Sequence, residues 1–234
     1  MRYYAISFAA FALMFILTAC SASSESARTP SPFYSAAAGD TIHLGGHDWL
    51  VLDVKDDRAL VISEKILSRR MWHYEQRAMT WEPSEIRQYL NESFFYDTFS
   101  EEERAYIVEV NNVNNMNPWF GSAGSGSDTV DRVFLLSLEE LMLYFGDSGI
   151  LGELAGLPHG AISIAITDDY NPGRVAIDIE TDRQYWWWLR TPGRFVSPWI
   201  DASAAVVSGG GDVVVYGLYL VMEGGVRPAL WVRI

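Results

Sequence analysis

One cysteine, Cys20, is the only thiol in the 234-residue chain, and that narrows what the chain can fold into. With a single cysteine no intrachain disulfide can form, and no cluster of thiolates can hold a metal. A folded domain must then be held by its apolar core. The material for such a core is present: 9 Trp, 12 Tyr and 11 Phe. The length after residue 39 suits one domain, or two small ones.

The position of Cys20 adds a second constraint. Arg2 supplies a positive charge near the start, and an uncharged run rich in Ala, Phe, Ile, Leu and Met extends from Ala5 to Leu17. That run is shorter than the ~20 apolar residues of a membrane span, and its layout is that of a signal peptide. The following Leu17-Thr18-Ala19-Cys20 resembles the bacterial lipobox, in which the cysteine is acylated and becomes the first residue. The resemblance implies lipidation at Cys20 and a bacterial protein anchored to a cell membrane or outer membrane, exposed outside the cytoplasm. Residues 1–19 are expected to be the signal peptide. Residues 20–39, rich in Ser and Ala with Pro30 and Pro32, are expected to form a flexible tether. Residues 40–234 are expected to form the folded domain.

The net charge is −13. An acidic surface repels phosphate backbones, so nucleic acid is not an expected partner. Attachment to a membrane must come from the lipid, to which each buried methylene adds roughly 0.8 kcal/mol.

Along the domain, Thr41–Leu44, Trp49–Val54 and Ala59–Ser63 read as strands of a meander, joined at Gly45-Gly46 and at Lys55–Arg58. Thr80 is placed to cap a helix beginning at Trp81, with Pro83 in its first turn. Ser100 with Glu103, and Ser137 with Glu140, each fit the capping-box spacing. Val133–Leu136 reads as a short buried strand. Tyr185–Arg190, Ala204–Ser208, Val213–Tyr216 and Val226–Ile234 read as strands, with a turn at Gly209–Asp212. Strands, then helices, then strands again indicate an α+β fold. Asn111–Asp128 is a long Asn, Gly and Ser loop carrying Trp119 and Phe120, expected to be mobile and to leave both rings partly exposed.

Several blocks resemble an uncharacterised domain family of bacterial surface and exported proteins. They are Trp49–Leu52, Thr80–Asn91, Phe99–Arg104, Asp131–Ser137, Trp187–Gly193 and Gly225–Trp231. The last two are similar to a wider group with a C-type-lectin-like fold, which includes the formylglycine-generating enzymes. The resemblance implies a single C-type-lectin-like domain of short helices and mixed or antiparallel sheets, with the last two blocks as neighbouring strands of one sheet. It carries over no activity.

Catalytic and metal-binding patterns are not legible. The cysteine chemistry of the sulfatase-activating enzymes has no thiol to use if Cys20 is lipidated. His43 and His47 are four apart but separated by Gly45-Gly46, and His73 and His159 stand alone, so no metal site is assigned. There is no G-x-S-x-G elbow, and the acidic pairs show no convergence of the kind a glycosidase needs. Asp178, Glu180 and Asp182 share one face if extended, and with Asp168 and Asn171 they form a candidate calcium set. No other cofactor is expected.

Trp186 and Trp188 are expected on one face of a strand and Trp187 on the other. Arg190 and Arg227 lie in the two strongest motifs and read as structural, paired with a carboxylate or with loop carbonyls. Trp119, Phe120 and Trp199 are the candidate ligand-binding residues, because aromatics in open loops can stack on sugars or anchor a protein. The expected role is non-catalytic binding of a glycan or envelope protein. The alternatives are an enzyme acting on envelope polymer, and a structural lipoprotein without a small ligand.

Overall fold

In the computed structural model the described residues are 31–120, 126–155, 165–194 and 202–234. The chain enters in segment 31–39, where a tether was expected. Instead Ser31 is buried and its hydroxyl donates to the Arg233 carbonyl at 2.7 Å. Phe33 packs on the core and edge-on to Tyr106. Among the described residues no helix is long and apolar enough to cross a membrane.

Three strands follow as the expected meander: β1 (Thr41–Leu44), β2 (His47–Lys55) and β3 (Arg58–Ser63). Gly45 turns the chain with φ 60°, and a side chain there would meet the Phe99 ring at 2.7 Å, so only glycine fits. β4 (Ser68–Arg70) leads out of the meander.

The first helix starts later than Thr80 suggests. Ser84 is the cap, its hydroxyl accepting from the Arg87 amide at 3.3 Å, and α1 spans Glu85–Tyr89. Pro83 explains the shift, because a proline disfavours helical geometry at the residue before it. A single π turn over Leu90–Phe94 joins α1 to α2 (Phe95–Thr98). Both capping boxes form as expected, at the start of α3 (Glu101–Arg104) and of α4 (Leu138–Phe145). Between those helices run β5 (Ile107–Val108), β6 (Val110–Asn112), β7 (Thr129–Asp131) and β8 (Val133–Phe134). The rest comprises α5 (Ile150–Leu154), β9 (Ala165–Ile166), α6 (Asn171–Arg174), β10 (Ala176–Asp178), β11 (Arg183–Tyr185), β12 (Trp187–Pro192), β13 (Ser203–Val207), β14 (Val213–Tyr219), β15 (Gly224–Val226) and β16 (Ala229–Arg233).

Two main sheets result, which with the short helices make the fold α+β. One has the order β1-β2-β3-β16-β5, with β8 also on β16; the other runs β4-β15-β12-β13-β14-β9. Among the described residues the strands of these two sheets pair antiparallel except β12 with β15, which meet in parallel at Trp187 and Gly225. The expectation for the two closing motifs needs correction here. Gly224–Val226 does lie beside the tryptophan strand, but the chain then crosses at Arg227-Pro228 and runs as β16 in the other sheet. Proline interrupts the ladder because it has no N–H to donate. The crossing is tied to β3 from both sides: Ser63 donates its amide to the Pro228 carbonyl, and the Arg227 guanidinium donates to the Ser63 carbonyl at 2.9 Å.

The tryptophan strand behaves as its alternation suggests. Trp186 and Trp188 meet edge to face at 4.8 Å, and Trp187 donates its indole N–H to the Arg174 carbonyl. Trp187 and Trp188 are fully buried and Trp186 packs against the same core.

Candidate functional site

A cleft of about 480 Å³ opens where the outer face of the first sheet meets α4 and the Asn-rich ribbon β6–β7. Its floor follows from strand register. Asp53 pairs with Leu60 and Lys55 with Arg58 across β2 and β3. Leu60 pairs with Trp231 and Arg58 with Arg233 across β3 and β16. Directly opposed residues project to the same side of a sheet, so Asp53, Lys55, Arg58, Leu60, Trp231 and Arg233 share one face, and of these Lys55, Arg58 and Trp231 line the cleft. The Arg58 guanidinium lies 4.9 Å from the centre of the Trp231 ring, within cation–π range.

α4 forms the opposite wall. Its Leu138, Leu141 and Met142 are buried, and Leu138 donates its amide to the Thr191 hydroxyl of β12 at 3.0 Å. The helical period then turns Glu140 and Tyr144, four residues apart, to one side. The Tyr144 hydroxyl donates to Asp53 Oδ2 at 3.3 Å, and Lys55 Nζ sits 3.0 Å from the same oxygen. Burial pushes the Tyr144 phenol up to about 12, helped by the charges of Asp53 and Glu140. Burial would also raise Asp53, but the bonds from Lys55, the Val54 amide and Tyr144 outweigh it and hold the carboxyl below its ordinary value.

Glu140 is gripped by Arg190 through both terminal guanidinium nitrogens, the Nη2 contact measuring 2.9 Å. Arg190 is buried, and it also donates to the Leu135 carbonyl and to Asn114 Oδ1. The structural reading of Arg190 is therefore the right one, with the addition that its ion pair lines the cleft. Asn111, Asn112, Val113 and Asn115 complete the rim, and Asn115 donates to Glu139 at 2.8 Å. Amides, hydroxyls and charged groups line the cleft, and among them Tyr144, Lys55, Arg190, Glu139 and Glu140 have hydrogen-bond or ion-pair partners. Among the described residues Asp53, Glu139 and Glu140 are each engaged, with Lys55, Asn115 and Arg190 respectively.

The candidates read from the sequence are distributed elsewhere. Trp119 and Phe120 are 4% and 5% exposed, which corrects the expectation of an open aromatic loop. The polar residues around them donate inward. Asn117 bridges the Pro192 and Val215 carbonyls, its side-chain oxygen accepts the Trp119 amide, and the Trp119 indole donates to the Leu151 carbonyl. The ends of the loop pair as β6–β7. With both rings in the core, neither offers a stacking face. Trp199, Cys20 and His159 lie outside the described residues.

The acidic set does not assemble as one site. Asp178 bonds Arg69 and Thr181, Asp182 meets Lys65, and Asp168 is held by Arg174. Asn171 bonds Asp212 rather than Asp178. No group of three His, Cys, Asp or Glu side chains suited to a metal occurs among the described residues. His43 bonds Asp48 on the exposed edge of the first sheet, whereas His73 is buried against Glu85 and stacked on Tyr74. Arg227 is buried with its guanidinium between Trp187 and Phe145, and burial pulls it down to about 10.

Sequence reasoning passed over Asp53, Lys55, Arg58, Tyr144 and Trp231. The available signal was the meander register: once Lys55–Arg58 is a turn, Lys55 and Arg58 must face the same way.

An α+β domain built on two main sheets, with a polar cleft above one of them, is the class that fold and site define. The chain belongs to the family described as Domain of unknown function (DUF6273), whose model matches residues 56–234. No curated protein and no solved structure matches it.

Proposed function

We propose that this is a lipid-anchored envelope protein whose domain binds a glycan without catalysis, in the cleft between the first sheet and α4. The observation that carries the reading is the lining. A hydroxyl-rich ligand needs many fixed donors and acceptors and one apolar face, and Asn111, Asn115, Tyr144 and Trp231 supply them. Lipidation at Cys20 and residence on the outer side of a bacterial membrane rest on the Leu17–Cys20 register. The finer fold assignment, C-type-lectin-like, rests on the position of the Trp187–Gly193 and Gly225–Trp231 motifs near the end of the chain. A role in hydrolysing envelope polymer has less support, because the cleft carboxylates are occupied by Lys55, Arg190 and Asn115.

The test is a glycan array probed with the full chain in a polyoxyethylene detergent, alongside a pull-down from envelope extract. Glycan signal that drops on Trp231→Ala supports the reading. Capture of protein alone, with no glycan signal, refutes it in favour of a protein ligand.

A further inference from the structure

The sheet face that floors the cleft with Lys55, Arg58 and Trp231 carries a row of like charges that continues past the cleft to Arg233. Lys55, Arg58 and Arg233 form a row across three adjacent strands, Lys55 opposite Arg58 and Arg58 opposite Arg233. Like charges directly opposed on a sheet destabilise the pairing. Of the three, only Lys55 has a carboxylate partner, Asp53 at 3.0 Å. Among the described residues neither Arg58 nor Arg233 is in an ion pair, although Asp56 and Asp57 lie in the intervening turn. This row of cations belongs to a chain of net charge −13, where carboxylate partners are abundant.

The middle member of the row is also the one best prepared to act on a ligand. Arg58 lines the cleft together with Lys55, and its guanidinium rests near the Trp231 ring. Stacking of this kind restrains a guanidinium and leaves its N–H edge free to meet a planar anion. Two parallel N–H donors match a carboxylate in spacing and plane. Asn111 and Asn115 also line the cleft, and their neutral amides suit hydroxyls rather than charge.

Resting on the glycan reading above, we infer that the ligand is an acidic saccharide, and that Arg58 receives its carboxylate while Lys55 and Arg233 add field. The anion would offset the repulsion along the cationic row, so binding and local sheet stability are coupled.

The experiment compares three probes of equal length on the full chain in polyoxyethylene detergent, by calorimetry. They are a uronate-bearing oligosaccharide, the same compound with its carboxylates reduced to alcohols, and the neutral compound carrying a phosphate monoester instead. The expected result is about tenfold tighter binding of the uronate than of the alcohol. Arg58→Gln should shrink that ratio below about twofold, and Arg58→Lys, which keeps the charge but loses the fork, should leave an intermediate ratio. Near-ultraviolet dichroism of the buried tryptophans checks that each variant is folded. Equal binding of uronate and alcohol overturns this inference and leaves the glycan reading standing. Preference for the phosphate over the uronate also overturns the carboxylate assignment. Binding of none of the three overturns the inference and the glycan reading together.

Discussion

Arg87 Nε lies 2.6 Å from Asp131 Oδ1, and this contact joins two sequence motifs that are forty-four positions apart. Asp131 is buried in β7. Its other oxygen accepts from the Trp81 indole at 3.0 Å, from Asn112 at 2.9 Å and from Thr129 at 2.7 Å. Asn91 completes the join by accepting the Arg132 amide and donating to the Val133 carbonyl. The Trp81, Arg87 and Asn91 spacing of the helical motif is thus the spacing needed to surround one carboxylate.

Asp131→Asn should therefore cost far more than a typical surface change. It removes the negative charge from a site that keeps the Arg87 cation, and breaking a buried pair in this way costs about 3–5 kcal/mol. Trp81→Phe removes a single neutral donor and should cost less. Urea denaturation of the two variants gives the ranking; equal losses would mean that Asp131 is not the hub.

The parts of this fold that were legible in the sequence are those that close over short distances. The Gly45-Gly46 turn, the Lys55–Arg58 turn, the Gly209–Asp212 turn and both capping boxes depend on residues within a few positions of one another. Even there, Pro83 moved the helix start from Thr80 to Ser84. What could not be read depends on distant partners. Trp119 is buried because Asn117 reaches the carbonyls of Pro192 and Val215, and nothing local to the loop announces those acceptors. The cleft exists because β16, from the end of the chain, settles between β3 and β5, which brings Trp231 beside Arg58.

Acid should destabilise the domain in part through Asp168, one of several carboxyls held below their ordinary values. Burial alone would raise its carboxyl, but Ser148, Arg174 and the Tyr170 amide more than offset this and hold it below the ordinary 3.8. A folded value below the unfolded one stabilises the protein above about pH 3.8, and that contribution is lost as pH falls through the folded value. Asp168→Asn should lower stability at neutral pH by about 3–5 kcal/mol, because it leaves the fully buried Arg174 without a counterion. It should also flatten the decline between pH 5 and pH 3. Denaturation at both pH values reads the two effects, and an unaltered acid slope would exclude Asp168 as a source.

Trp119→Phe should remove no fluorescence accessible to acrylamide. The indole is buried and donates to the Leu151 carbonyl at 2.9 Å, so a quencher in water does not reach it. The substitution deletes one buried donor and leaves a carbonyl unpaired, at a cost of about 1–3 kcal/mol. A measurable fall in the quenchable fraction would place the ring at the surface.

Cys20→Ser should abolish incorporation of a fatty-acid analogue and release the protein from the membrane fraction. The expectation rests on the alignment of the apolar run, Ala19 and Cys20. Equal labelling of both forms would end it.

Tyr144→Phe should weaken glycan binding while leaving the domain folded. The hydroxyl is held by Asp53 at 3.3 Å, and one such bond contributes only about 0.5–1.5 kcal/mol to stability. Its loss from the cleft wall has a second consequence. Asp53 keeps its depressed carboxyl partly through Tyr144, so the substitution moves that carboxyl upward and loosens its hold on Lys55. Because the phenol titrates near 12, it stays a donor throughout the neutral range, and binding should not vary there on its account. Leu143→Ala is the matching control, one residue earlier on α4 but 69% exposed. If array signal falls about fivefold or more in Tyr144→Phe and stays level in Leu143→Ala, the ligand lies against this face of the helix. If both variants bind like the parent, α4 is a support for the first sheet and not a wall of the binding site.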